Sequence, residues 1–204
     1  MSSDLSTHRR GAGSGLVFVV AGPSGAGKNS VIDAVMERLD GLAFSVSYTS
    51  RPRREGEVDG ENYVYVTGEA FDRLVEEGEF IEHVVYSGHQ YGTSRGQIAR
   101  RLTEGLDVIL QIEVQGARRI REDGIAGCRV VHVFLTPSSL DRLGERLRAR
   151  GTETEEQIAR RLAVAADEIR QIEAFEYLVI NDDFDRAVDE LAGIIVAERA
   201  RIIR

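Results

Sequence analysis

The sequence is short of lysine, of cysteine and of long apolar runs. Near its start the longest uninterrupted apolar run, Leu16 to Ala21, has six residues, far below the roughly 20 that a membrane-spanning helix needs. No membrane partner is expected. The opening MSSDLSTHRRGAGSG carries two arginines but no apolar centre and no small-residue cleavage pattern, so residues 1–15 read as a disordered tail rather than a secretory leader. One cysteine, Cys128, excludes an internal disulfide, and its place beside the apolar run Val130 to Leu135 suggests a small buried hydrophobe in a reducing, cytoplasmic setting. A basic excess is lacking too. The formal net charge of −8 argues against a nucleic-acid partner, because affinity for a phosphate backbone needs a basic surface. Any phosphate ligand must be held locally, and among 26 Lys and Arg residues the one lysine, Lys28, marks a place where a compact ammonium is wanted instead of a planar fork.

At 204 residues the chain suits one compact domain with small insertions. Leu16 to Ala21 (LVFVVA) reads as a buried parallel strand leading into a glycine-rich loop, and Val31, Ile32, Val35 and Leu39 then follow at helical spacing. Ala43 to Val46 is a second extended run. From Asn62 the character changes to a strand (62–66), a helix (70–77) and a strand (80–86), as in an inserted lobe. After a helix from Gln97 to Thr103, strands at 107–112, 129–135 and 177–180 alternate with helical stretches. This alternation predicts an α/β fold, a parallel sheet flanked by helices, closed by a helix from Phe184 to about Ile202. Ser138 with Asp141, and Thr154 with Gln157, are spaced like capping boxes.

Gly22-Pro23-Ser24-Gly25-Ala26-Gly27-Lys28 fits the G-x-x-x-x-G-K phosphate loop, with a strand before it and a helix after it. Glycines let backbone N–H groups converge on phosphates, the helix start adds positive charge, and Lys28 reaches the transferring group. The motif places Ser or Thr directly after the lysine, to help hold Mg²⁺. Here Asn29 takes that place and Ser30 follows it, so Ser30 is the candidate metal-facing hydroxyl. The four histidines, His8, His83, His89 and His132, show no metal-ligand spacing.

From about Leu16 to Ile202 the chain resembles the guanylate kinase family. Phe44 to Glu57 (FSVSYTSRPRREGE) resembles that family's V-S-x-T-T-R-x-P-R-x-G-E segment, Phe80-Ile81-Glu82 its F-I-E strand, and Tyr91-Gly92-Thr93 its Y-G-T/S turn. Leu110 to Gly116 (LQIEVQG) resembles L-[DE]-I-[DE]-x-Q-G with Gln111 in place of the first carboxylate, and Asn181-Asp182-Asp183 resembles an N-D-D turn near the adenine of ATP. The resemblance implies a phosphate-loop kinase that moves the γ-phosphoryl of ATP to GMP with Mg²⁺, built as a core (16–45 and 96–204), a GMP-binding lobe (46–95) and a mobile lid (about 142–168). It implies that Arg51, Arg54, Tyr63 and Tyr91 hold the GMP phosphate, a role suited to guanidinium forks and phenolic hydroxyls. By the same resemblance Glu82, with Ser47 and Thr93, reads the guanine edge, and Glu113 serves metal-shell water or the base. Arg146, Arg150 and Arg161 become lid arginines that meet the charge spread over the transferring group. A homo-oligomer stays open. A noncatalytic binding module of the same fold would not need Lys28, Arg150 and Arg161, and a kinase for another phosphorylated acceptor, such as a ribose phosphate, would not need Ser47, Glu82 and Thr93.

Overall fold

The computed structural model describes residues 15–86, 88–151 and 153–202, so the expected tail, apart from Gly15, lies outside the described residues. In chain order the first half comprises β1 (Leu16–Ala21), α1 (Lys28–Arg38), β2 (Leu42–Ser45), β3 (Tyr48–Thr49), β4 (Val64–Tyr65), α2 (Gly68–Glu76), β5 (Phe80–Tyr86), β6 (His89–Ser94) and α3 (Arg95–Thr103). The second half comprises β7 (Asp107–Gln111), α4 (Val114–Asp123), β8 (Arg129–Thr136), α5 (Leu140–Ala149), α6 (Glu155–Ile169), β9 (Tyr177–Ile180) and α7 (Phe184–Ala200).

Every residue of β1 is buried, which is what a central strand covered on both faces requires. It lies between β7 and β8 in an all-parallel sheet of order β2-β7-β1-β8-β9. Alternate side chains feed two cores. Phe18, Val20, Ile109 and Val133 pack with Val31, Ile32 and Val35 of α1 and with Leu191 and Ile195 of α7. On the opposite face Val17, Val19, Val108 and Leu110 pack with Ile98 of α3 and Val114 and Ile120 of α4. Each fully buried side chain of this size contributes about 1.5–3 kcal/mol, so the sheet and its carboxyl ends are fixed from both sides. In an open α/β sheet the carboxyl ends of the strands are where ligands bind.

The inserted stretch forms a second sheet of order β4-β3-β6-β5, with α2 packed against it. Phe71 of α2 stacks on Phe80 of β5 at 4.7 Å between ring centroids, and Thr67 caps α2 by accepting from the Ala70 N–H at 3.1 Å. Strands β3 and β6 carry too few residues, or too many polar ones (HQYGTS), to stand out by periodicity; β6 is held by β5 on one side and holds β3 on the other. A third apolar cluster, Leu143, Leu147, Ile158 and Ala165, joins α5 to α6.

Three local expectations change, the first being that Tyr91-Gly92-Thr93, expected as a turn, lies within strand β6 and pairs with β5. The cap of α5 is Ser139, which accepts from Arg142 N–H at 3.2 Å, while the Ser138 N–H turns to Asp182 at 3.0 Å, because the helix starts at Leu140 and not one residue earlier. Cys128 is half-buried at the margin of the second core instead of wholly inside it, since it lies in the turn that precedes β8. The Thr154 and Gln157 capping box forms both of its bonds. Among the described residues no helix is long and apolar enough to cross a membrane.

Candidate active site

The loop Gly22–Gly27 leaves the end of β1 and enters α1 at Lys28. Gly27 is the N-cap at φ 90°, and a Cβ there would lie 2.5 Å from Asn181 Nδ2, so the position excludes a side chain twice over. Helices α6 and α7 begin with a side-chain cap and an acid in the first turn. The first turn of α1 has neither. Its leading N–H groups and the positive end of its dipole are thus left for an external anion. Lys28 lies beneath them, 8% exposed. Its Nζ donates to the carbonyls of Gly22 at 2.5 Å and Pro23 at 3.1 Å, which leaves one of an ammonium's three donors. Burial lowers the lysine's pKa, and the charges of Glu113 and Glu168 oppose that shift.

The loop is braced by its own backbone contacts with distant residues. The Ala26 carbonyl accepts from Asn181 Nδ2 at 2.8 Å and from Arg146 Nη1 at 3.2 Å, and Arg146 also donates to the Asn181 carbonyl. Arg146, expected among the lid arginines, and Asn181, expected beside an adenine, therefore both hold the phosphate loop itself. Gln111, at the end of β7 beside Val20, donates from Nε2 to Asn29 Oδ1 at 3.0 Å. The two departures from the family pattern touch each other. Gln111 Oε1 and Glu113 Oε2 are buried acceptors without a partner, and Ser30 is exposed on the first turn of α1.

Across from this loop the second sheet gathers the expected phosphate-holding side chains. Arg51 is 8% exposed; its Nη2 donates to Glu57 at 2.7 Å and its Nη1 to the Pro52 carbonyl at 2.8 Å, with the guanidinium 5.4 Å from the Tyr63 ring centre. Tyr63 and Tyr91 meet edge to face at 5.8 Å. The bond from Arg51, with lesser help from the Arg54 N–H and the Tyr65 hydroxyl, pulls the Glu57 carboxyl down to about 2. Burial pushes the Tyr63 phenol up to about 12. The group is therefore an anchored cation beside a Tyr63 phenol that keeps its proton. The Arg54 side chain is exposed and Ser47 half-buried nearby in sequence.

Glu82 and Thr93 sit opposite each other on β5 and β6, and the Thr93 hydroxyl donates to Glu82 Oε1 at 2.5 Å. Only 6% of Glu82 is exposed. Burial lifts its carboxyl to about 7, opposed by the Thr93 bond and the charge of Arg119 and supported by Glu113. A Cβ on Gly116 of α4 would lie 2.5 Å from Glu82 Oε2, so glycine in the LQIEVQG segment is the space into which this carboxylate fits.

In the α5–α6 region, Arg150 is the exposed C-cap of α5, and Arg161 on α6 is paired with Glu153 at 2.8 Å. Arg148 pairs with Glu155 across the two helices. Glu168, near the end of α6, is a residue that sequence reasoning passed over. It is buried, and burial with the charge of Glu113 raises its carboxyl to about 7 against the pull of Lys28. The signal was present: with Ile158 and Ala165 it continues the inward stripe of an amphipathic helix, where an acid is out of place unless it has a task.

The guanylate kinase family model matches residues 15–198. The chain is 42% identical over 190 residues to the guanylate kinase of Caldanaerobacter subterraneus subsp. tengcongensis, covering 93% of this chain and 91% of that one. With the guanylate kinase of Symbiobacterium thermophilum it shares 45% over 190 residues, covering 93% and 89%. The crystal structure of guanylate kinase from Anaplasma phagocytophilum superposes with a TM-score of 0.74 at 31% identity, covering 93% and 88% of the two chains.

Proposed function

We propose, from the premise that this chain belongs to the guanylate kinase family, that its phosphate loop and its inserted sheet hold the two nucleotides face to face and that the side chains described above carry the transfer. The chain is an ATP:GMP phosphotransferase, moving the γ-phosphoryl of ATP to GMP to give ADP and GDP in purine nucleotide metabolism. A cytoplasmic setting belongs to the same proposal.

One observation carries the assignment of roles: an anion site with a buried ammonium at the start of α1 stands apart from a second site holding a fixed guanidinium, two phenols and a buried carboxylate. The first suits the β- and γ-phosphates of ATP. In the second, Arg51, anchored on Glu57, turns its remaining N–H groups to the GMP phosphate, with Arg54, Tyr63 and Tyr91 beside it. The ionised Glu82 accepts from guanine N1–H and the 2-amino group, with Ser47 and Thr93 as smaller partners. Adenine offers a lone pair at N1 and no 2-amino group. The protein forms no covalent bond to the phosphoryl group; it aligns donor and acceptor and balances charge, with Lys28, Arg150 and Arg161 as the cations and Arg146 as the brace of the loop.

Mg²⁺ fits the donor set at the strand end. Ser30 supplies a hydroxyl, and Gln111 Oε1 and Glu113 Oε2 are unpartnered acceptors suited to hydrogen bonds from a hydrated cation. No group of three or more His, Cys, Asp or Glu side chains able to hold a bare metal occurs among the described residues. When bound, the ion neutralises charge on the β- and γ-phosphates.

The direct test is ADP release in a coupled assay with ATP and GMP, dGMP or AMP, with and without Mg²⁺. Turnover with GMP and Mg²⁺ and none above background with AMP is the expected result; equal turnover with AMP overturns the guanine assignment. Gly116→Ala examines the pocket from the other side. The new methyl drives Glu82 from its place, and kcat/KM for GMP is expected to fall about 10- to 100-fold, the equivalent of one charge-assisted hydrogen bond at about 1.5–3 kcal/mol. The KM for ATP is expected to stay within about twofold. An unchanged GMP efficiency places the base elsewhere.

A further inference from the structure

Glu153 stands one residue ahead of Thr154, the cap of α6, whose two capping bonds fix the backbone there. From that point Oε1 meets Arg161 Nη2 at 2.8 Å, with side-chain exposures of 15% for Glu153 and 33% for Arg161. The second oxygen, Oε2, is buried and has no partner. Arg161 follows Ile158 by three residues and precedes Ala165 by four, and both of those are buried against α5. The arginine thus rises from the inward stripe of α6, and its charge acts on Tyr86 at the end of β5, in the inserted sheet. It borders the space between the lid and the acceptor lobe.

The neighbouring pair shows what a purely structural clasp looks like on the same two helices. Arg148 closes on Glu155 at several points, Nε on both carboxylate oxygens at 2.9 and 3.2 Å and Nη2 on the second at 3.1 Å, on an open surface. That geometry uses up one edge of the fork. Arg161 is gripped at one nitrogen, so most of its five N–H donors are left over. Leaving a carboxylate oxygen buried and unpaired carries a desolvation penalty, which a second contact to the same arginine would relieve. A one-point grip makes sense where the guanidinium has another anion to meet.

We propose that Glu153 is the positioning residue for Arg161: it holds the guanidinium by a single nitrogen at the edge of the cleft, so that the remaining donors meet the transferring phosphoryl group when the lobes close. This rests on the reading above that Arg161 serves the transfer. Glu153 touches no substrate; it acts through the arginine.

The test compares Glu153→Gln, Glu153→Asp, Glu153→Ala, Arg161→Ala and the double variant Glu153→Ala/Arg161→Ala for kcat, for KM of ATP and GMP, and for thermal midpoint. Loss of a supporting partner of this kind is expected to lower kcat about 10- to 100-fold in Glu153→Ala, with KM for GMP within about twofold. Glu153→Gln keeps the reach and an acceptor oxygen and recovers most of the turnover. Glu153→Asp keeps the charge but withdraws the acceptor by a methylene, and stays low. In the Arg161→Ala background, removing Glu153 costs nothing more, because the two act as one unit. If Arg161→Ala leaves kcat intact, the underlying reading of Arg161 falls and the positioning role with it. If Arg161→Ala is slow but Glu153→Ala is not, or if the two losses add in full, the proposal alone falls. Should Glu153→Ala fail to fold, the order of Gln and Asp decides: an active Asp and an inactive Gln mean that charge, not placement, is what Glu153 supplies.

Discussion

Replacing Lys28 with alanine is expected to leave a folded protein whose turnover has fallen by about 10³-fold or more, the loss associated with removing a preorganised group from developing charge. The ammonium is already oriented by the Gly22 and Pro23 carbonyls, so its remaining donor needs no rearrangement when a phosphoryl group arrives. The variant also loses the charge that favours ionisation of Glu113 and Glu168. Both acids then hold a proton to higher pH. Lys28→Arg is expected to recover little, since a planar fork cannot occupy a niche shaped by two carbonyls around a compact ammonium. The measurement is kcat at saturating ATP·Mg²⁺ and GMP, with circular dichroism and a melting curve to establish the fold. Turnover close to that of the parent protein removes the phosphate loop from the mechanism.

Glu82→Gln is expected to collapse the discrimination between GMP and AMP. Two charge-assisted hydrogen bonds to guanine are worth about 1.5–3 kcal/mol each, and an acceptor that leaves them unpaired is rejected by about 10⁴-fold or more in kcat/KM. With an amide, one oxygen still accepts, but the NH₂ confronts a guanine donor and can serve adenine N1. The GMP-to-AMP ratio is expected to drop about 100-fold, most of it from GMP. Acidity gives a second handle. Glu82 is neutral below its raised pKa of about 7 and charged above it, so the parent protein's kcat/KM for GMP rises as the pH is taken upward through 7. Glu168 titrates in the same range, but its charge partners are Glu113 and Lys28, so it is expected to move both nucleotides alike. The ratio of GMP to AMP efficiency against pH isolates Glu82. A ratio flat from pH 6 to pH 8, or unmoved by the substitution, means that another group reads the base.

The sheet was legible where burial writes an apolar run, as in β1 and β8, and the phosphate loop was legible because its glycines and lysine fall within seven consecutive residues. β3 and β6 were not, because β3 is extended by pairing with a strand distant in sequence, Thr49 opposite Tyr91, and β6 is a polar run made a strand by its pairing with β5, and neither shows local alternation. Residues that the family resemblance assigned to one task, Arg51 with Tyr63 and Tyr91, and Glu82 with Thr93, do come together. Arg146 and Asn181 meet the Ala26 carbonyl of the phosphate loop, contacts the sequence does not show, since no motif records which backbone carbonyl a side chain will find. Likewise the bond between Gln111 and Asn29 joins positions 82 residues apart and depends on β7 lying beside β1. Glu168 and Glu153 were readable only as acids in or beside an amphipathic helix until their neighbours were known.

The Ala26 carbonyl, held at once by Asn181 and by Arg146, settles when conformational entropy is lost. Fixing one backbone residue costs about 1–2 kcal/mol, and in this protein that cost for the phosphate loop is met as the chain folds, by contacts from α5 and from the turn after β9. A loop ordered in this way is expected to bind a nucleotide with little further loss of loop entropy. On the proposed reading, more of the binding free energy of ATP is then free for other steps of the reaction.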